Sequence, residues 1–355
     1  MMSNNLFRTI VAALAAAAVT LSACSPAAGQ NEAAAGQSES KKEEKKDEKK
    51  DEKKEAMPEG TPVFWQEPAD ISSRNLLLGP GGEGMKPDLK QVTWEETMPE
   101  GYSVKWRVRD GSGKRWVVKV GNESQPETVA TRLVWAAGYP TEVNYLIPCV
   151  QIVNAPKPRK EVKRCEGNGY ANVRFEARQD SHKRLEEWSW NKNPFSGTKE
   201  FAGFVVLMGL LNNWDLKDSN NKIVYVPTEG GGGELRYVVS DLGATFGKTG
   251  NFITHSRNEP EKYVKTGFID KVEGDHVRFD YSGKNGGLFD GVTVEQARWI
   301  GDILHQLSEE QIKDAFRAAN YKPDEIEALA QEVMGRINAL HSLPAPAAAS
   351  STPAP

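Results

Sequence analysis

Residues 210–226, LLNNWDLKDSNNKIVYV, set Asp215, Lys217 and Asn220 at fixed offsets between an apolar lead-in and a β-branched run. Three further features follow one order along the chain. Lys119 lies inside the strand-like WVVKVG, Glu127 opens the segment SQPETVATRLVWAAGY, and Asp241-Leu242-Gly243 closes the run RYVVSDLG. Together they supply carboxylates, an amide and ammonium groups. A reaction that spreads negative charge over several oxygens needs such groups as fixed charges and dipoles. Each feature also has an ordinary reading. Ser124 to Glu127 form an S-x-x-E capping box, Asp218 to Asn221 suit a hairpin turn, Asp-Leu-Gly is a common strand-end turn, and mid-strand lysines are frequent on exposed sheet faces.

The order of these features resembles the protein-kinase-like superfamily. DLKDSN fits the D-L-K-x-x-N catalytic loop and DLG fits the D-F-G metal motif. The compact spacing is similar to the atypical branches, namely the phosphatidylinositol-kinase-like, toxin-kinase-like and secretory-pathway kinases, over about residues 89–340. The resemblance implies an α+β, two-lobed fold that moves a phosphoryl group from ATP, with Mg2+, to a hydroxyl on a protein, lipid or small molecule. It implies that Lys119 contacts the nucleotide phosphates and pairs with Glu127, and that Asn220 and Asp241 hold Mg2+. Asp215 would orient or deprotonate the acceptor hydroxyl, and Lys217 would stabilise the charge on the transferred group. Two other classes stay open: a catalytically inactive kinase-like module that binds a ligand or partner in the same cleft, and a structural envelope protein without cleft chemistry.

The departures from the family pattern are specific. Asn213-Trp214 stand where His-Arg would precede the aspartate, and only eight positions separate Lys119 from Glu127. No glycine-rich phosphate loop precedes Lys119. The turn at Gly101 and Ser103 is the nucleotide-binding candidate by position, and GPGGEGM (79–85) reads as an entry segment. The histidines at 182, 255, 276, 305 and 341 show no metal spacing, which argues against zinc.

The elements that must hold these residues can be read from periodicity. Runs 89–98, 103–110 and 114–121 are β-rich, the last two joined by Gly111-Ser112-Gly113. A helix follows from Ser124, as N-cap, to Gly138. Two strands, 144–152 and 171–179, complete the front half. The run 198–213 is apolar nearly all round and predicts a buried helix, followed by strands at 222–226 and 235–243. The stretch 244–292 reads as irregular. Three amphipathic helices are expected over 293–307, 308–320 and 322–340. The implied lobes are 61–180, β-rich with one helix, and 181–343, mainly helical.

The ends carry an address. Arg8 and an apolar, alanine-rich stretch precede Leu21-Ser22-Ala23-Cys24, which resembles a bacterial lipobox and implies cleavage after residue 23 and lipidation of Cys24. Ser25 in place of aspartate suggests outer-membrane sorting. Residues 24–60, with KKEEKKDEKKDEKKE, hold almost nothing to bury and read as a solvated tether, as does the tail 344–355. The membrane is thus reached through a lipid anchor alone, in an envelope where free ATP is scarce. A net charge of −4 and the lack of a basic, aromatic-interleaved face argue against nucleic acid. Cys149 and Cys165 flank a hairpin loop. In an oxidising compartment they could pair, or they could remain two thiols.

Overall fold

The computed structural model describes residues 57–250 and 253–345. The signal-like segment, Cys24, the charged run and residues 346–355 lie outside the described residues. In chain order the strands are β1 (Thr61–Val63), β2 (Thr93–Met98), β3 (Val104–Arg109) and β4 (Arg115–Val120). Helix α1 (Ser124–Ala136) comes next, then β5 (Asn144–Val150), β6 (Tyr170–Ala177) and β7 (Lys183–Arg184). After α2 (Lys199–Leu210) come β8 (Asn221–Pro227), β9 (Gly233–Val239), α3 (Pro260–Tyr263), β10 (Ile269–Glu273) and β11 (His276–Phe279). Helices α4 (Val294–Leu304), α5 (Glu309–Ala318) and α6 (Pro323–His341) finish the chain.

The fold is α+β with two lobes. The first is a five-stranded antiparallel sheet in the order β2-β3-β4-β6-β5. Alternation along β3 and β4 sends Val104, Trp106, Val108, Trp116, Val118 and Val120 into one core with Val173 and Phe175 of β6. Pro148 is tolerated in β5 because that strand lies at the sheet edge, where no ladder donor is missed. Beyond β5 the chain crosses to the opposite edge. There Trp94 N–H donates to Val153 O at 2.9 Å and Val153 N–H donates to Val92 O at 2.8 Å, curling the sheet on itself.

The second lobe is built on α2, α4, α5 and α6, with a four-stranded sheet in the order β1-β9-β8-β7. Strand β1 falls in the stretch expected for the first lobe, yet it pairs parallel with β9. Phe64, Ile71 and Leu76 then bury themselves in the helical core, because that is where the larger apolar surface lies. Helix α2 stops at Leu210, short of the expected 213, where Asn212 takes φ 51° and ends the helical path. The stretch 244–292 is not irregular throughout. It contains the β10–β11 hairpin, whose polar strands bury only Val277 fully and so show no apolar alternation.

Helix α1 lies between the two lobes. Val129, Leu133, Val134 and Ala136 pack in the larger, helical core, while Thr131 and Arg132 meet Asn144 of β5 through buried hydrogen bonds. A helix buried on nearly all sides must satisfy its own polar groups. Thr128 and Thr131 do so by donating to the carbonyls of Ser124 and Glu127 at 2.8 Å.

Candidate active site

Cross-strand register places three cations side by side. Lys105 of β3 faces Lys119 of β4, and Lys119 faces Arg174 of β6. Adjacent like charges repel, so this row requires carboxylates, and four surround it. Lys119 Nζ lies 2.6 Å from Glu127 Oε2, 3.1 Å from Asp241 Oδ1 and 3.6 Å from Glu123 Oε2. Arg174 lies 3.0 Å from Glu127 and 2.6 Å from Glu176. Lys105 approaches Asp241 Oδ2 at 3.8 Å.

The turn between β4 and α1 makes this possible. Gly121 at φ 132° reverses the chain and accepts from Ser124 N–H at 3.1 Å. Ser124 is therefore not an N-cap, as its sequence context suggested. Glu123 occupies that position, and the Ser124 hydroxyl donates back to Lys119 O at 2.8 Å. Glu127 is spent on Lys119 and Arg174 rather than on a capping box. The turn brings the first turn of α1 directly beside the lysine, so a separation of eight positions suffices.

Burial works against a charge on Lys119, but Asp241, Glu127 and Glu123 outweigh it and hold the ammonium above its usual range. Asp241 responds oppositely. Burial would raise it, yet Lys119 and Lys105 keep its carboxyl well below the ordinary carboxylate range.

The second half of the site is the loop after α2. Asn220 Nδ2 donates to Asp215 O at 2.8 Å and to Asp215 Oδ2 at 3.3 Å, bending residues 215–220 into a tight loop. Asn220 O accepts from Ser240 N–H at 2.8 Å and Asp241 N–H at 3.3 Å, which fastens that loop to the end of β9. Two lysines hold Asp215: Lys217 Nζ at 2.8 Å from Oδ2 and Lys284 Nζ at 3.2 Å from Oδ1. Burial favours its neutral form, but these cations win and the pKa falls below the usual aspartate value. Trp214, which stands where an arginine would precede the aspartate, donates to Ser256 O at 2.9 Å and stacks on His255.

A cleft of about 1090 Å³ opens between the lobes, with Asp215, Lys217, Asn220 and Asp241 on one side and Gly101, Lys105 and Val117 on the other. Lys119 and Glu127, each 1 % exposed, stand behind its wall rather than on it. Gly101 borders the cleft, but Ser103 does not offer its hydroxyl there. It is buried and donates to Glu123 Oε2 at 2.6 Å. Among the described residues no group of three or more His, Cys, Asp or Glu is placed to hold a metal. Cys149 and Cys165 are joined in a disulfide. No helix among the described residues is long and apolar enough to cross a membrane.

Arg174, Glu123, Glu176, Lys105, Lys284 and Arg257 are among the further charged residues that line the cleft, and they were not singled out by the sequence motifs. Glu123 was within reach, lying four positions after Lys119. The β3 partner of Lys119 lies across the turn that Gly111-Ser112-Gly113 announces, but its β6 partner depends on strand order, which no local pattern encodes.

No protein-family model matches this sequence, and no curated protein matches it. Among solved structures, the fold is similar to the Helicobacter pylori proinflammatory kinase CtkA at 12% identity, covering 70% of this chain and 95% of that one, with a TM-score of 0.42. It is similar to the Golgi casein kinase at 9% identity, covering 77% of this chain and 74% of that one, with a TM-score of 0.35. The same kinase with Mn/ADP bound gives a TM-score of 0.36. At such distances a likeness assigns no role to any residue.

Proposed function

We propose that this chain is a divalent-cation-dependent phosphotransferase that moves the terminal phosphoryl group of a nucleoside triphosphate, such as ATP, to a hydroxyl acceptor. One observation carries the reading. Asp215, Asn220 and Asp241 line a single cleft between a sheet lobe and a helical lobe, and the buried Lys119–Glu127 pair stands directly behind its wall, with Lys119 Nζ 3.1 Å from Asp241 Oδ1.

The donor set fits a hard cation. Asp241 keeps its carboxylate ionised, and Asn220, tied through its backbone to Asp241, spends its amide N–H on Asp215, leaving its side-chain oxygen uncommitted to that bond. Oxygen ligands of this kind suit Mg2+. When bound, such an ion neutralises charge on the phosphate oxygens. Lys119 and Lys105 meanwhile supply fixed positive charge beside Asp241, and Glu127 with Arg174 keeps Lys119 in place. Asp215 orients the acceptor hydroxyl. The acceptor oxygen forms its bond to the γ-phosphorus while the bond to the β,γ-bridging oxygen breaks, with that electron pair leaving on the diphosphate. The hydroxyl proton passes to Asp215, and Lys217 balances charge on the moving group. A depressed pKa makes Asp215 a weak base, so it serves orientation first and takes the proton late.

We further read the protein as lipid-anchored through Cys24 in a bacterial envelope, most simply at the outer membrane. The lipobox-like Leu21 to Cys24 supports this, as does the disulfide, since such bonds persist in oxidising compartments. The acceptor class is a protein, lipid or small-molecule hydroxyl.

A second reading is a nucleotide-holding module without transfer. It is favoured by the engagement of Asp241 with two lysines and by the sealing of Lys119 behind the cleft wall. Incubation of the purified chain with ATP and Mg2+ decides between them. Release of ADP that disappears in Asp215→Ala supports the transferase. A nucleotide-dependent rise in Tm with no turnover supports the module, and neither effect would defeat both.

A further inference from the structure

The loop that closes between Cys149 and Cys165 does not simply cap a hairpin. Its Arg159 reaches over the β2–β3 turn and donates three hydrogen bonds to alternate backbone carbonyls: Pro99 O at 2.5 Å, Gly101 O at 2.5 Å and Ser103 O at 2.8 Å. The next residue, Lys160, sets its ammonium 3.4 Å from the ring centre of Tyr102 in the same turn. Near its start the loop is fastened to β2 by Val153, and at its base by the disulfide.

In a planar trans peptide the C=O and the following N–H point in opposite directions. Gathering the carbonyls of residues 99 and 101 on one guanidinium therefore turns the N–H groups of Glu100 and Tyr102 away from it. Glu100, Gly101 and Tyr102 line the cleft. Backbone N–H groups turned together into one cleft give it positive partial charge that can hold an anion. Only Gly101, at φ 82°, is needed to let the turn adopt this shape.

We propose that Arg159 is a positioning residue for phosphate binding: from outside the cleft it aims the Glu100 and Tyr102 N–H groups at the nucleotide phosphates, and the Cys149–Cys165 disulfide holds the loop that carries it. This rests on the phosphotransferase reading for its ligand and explains how the chain dispenses with a glycine-rich loop. The guanidinium reaches these carbonyls from two nitrogens held in a fixed planar fork, whereas an ammonium presents its donors from a single atom on a flexible stem, so lysine is a poor replacement.

The test uses the full chain, with Arg159→Ala, Arg159→Lys and the double variant Cys149→Ser/Cys165→Ser. Two readouts are compared: backbone amide exchange over residues 99–104 without ligand, and affinity for ADP against adenosine. In the Arg159 variants the turn should exchange faster, and ADP should bind about tenfold more weakly while adenosine affinity holds within about twofold. The double variant should show the same pattern in milder form. Unchanged exchange in Arg159→Ala overturns the clamp. Faster exchange with equal losses for ADP and adenosine overturns the phosphate role. If exchange rises but the native chain binds neither nucleotide nor nucleoside, the clamp geometry holds and the phosphotransferase reading falls, taking the phosphate role with it.

Discussion

Lys119 and Glu127, eight positions apart, meet at 2.6 Å in an ion pair shut away from solvent between a strand and the helix that follows it. Arg174 shares the same glutamate from the next strand. Removing one member of a buried charge network leaves its partners uncompensated, at a cost of about 3–5 kcal/mol. Glu127→Ala should therefore lower the unfolding free energy by about that amount. Denaturant titration checks it. A double-mutant cycle with Lys119→Met should show strong coupling, because the two buried charges touch at 2.6 Å and each compensates the other.

Asp215 sits between Lys217 and Lys284. Asp215→Asn should reduce kcat by about 10²–10⁴ with little change in nucleotide KM. Lys284→Ala should move any acidic limb of the kcat–pH profile upward, since one of the cations that depresses Asp215 has been removed. Lys284→Arg should leave the limb in place. Steady-state rates measured from pH 4 to 8 separate the two variants.

The buried carboxylates set the response to acid. Asp241 and Glu176 both titrate well below their ordinary values: burial opposes this, but Lys119 with Lys105, and Arg178 with Arg174, prevail. A group with a depressed folded pKa stabilises fully above its unfolded value and loses that contribution as pH falls through the folded one. Tm should hold from neutral pH down to about 5 and then fall steadily toward pH 2, with a shallower fall in Asp241→Asn. Lys119 has the opposite sign. Its folded pKa is raised, so its contribution is complete below the usual lysine value and disappears only in stronger alkali.

The site can be read in the sequence to the extent that its geometry is local. DLKDSN folds on itself through Asn220 and Asp215, and the spacing alone carries that. Strand–helix alternation likewise announces α1, and nearly continuous apolarity announces α2. The full row Lys105, Lys119, Arg174 is invisible until strand order and register are known, because its members come from three strands spread over 70 positions. Lys284 is hidden for a related reason. Its approach to Asp215 is fixed by Lys284 N–H donating to Trp214 O at 2.9 Å and by Tyr281 donating to Asn213 O at 2.8 Å, contacts that no periodicity encodes. Glu127 was ambiguous because its capping-box spacing is real. The tie from Ser124 back to Lys119 decides the matter in three dimensions.

Helix α1 gives its leucine and valines to the helical core, while the sheet of Lys119 and Arg174 keeps a core of its own. The join between these two hydrocarbon interiors is thus polar, made of the hydrogen bonds of Thr131 and Arg132 with Asn144 and the ion pairs of Lys119 with Glu127 and Asp241. Hydrocarbon contact sums over area, but such a join is held at a few points, and its ion pairs can be dissolved by a proton. Acidification that protonates Asp241, whose pKa is lowered, while sparing both apolar interiors should make the chain melt in two stages instead of one; Glu127, which burial pushes up, works in the other direction. Calorimetry would then resolve a smaller sheet transition from a larger helical one, and a ligand bound across the cleft would merge them again.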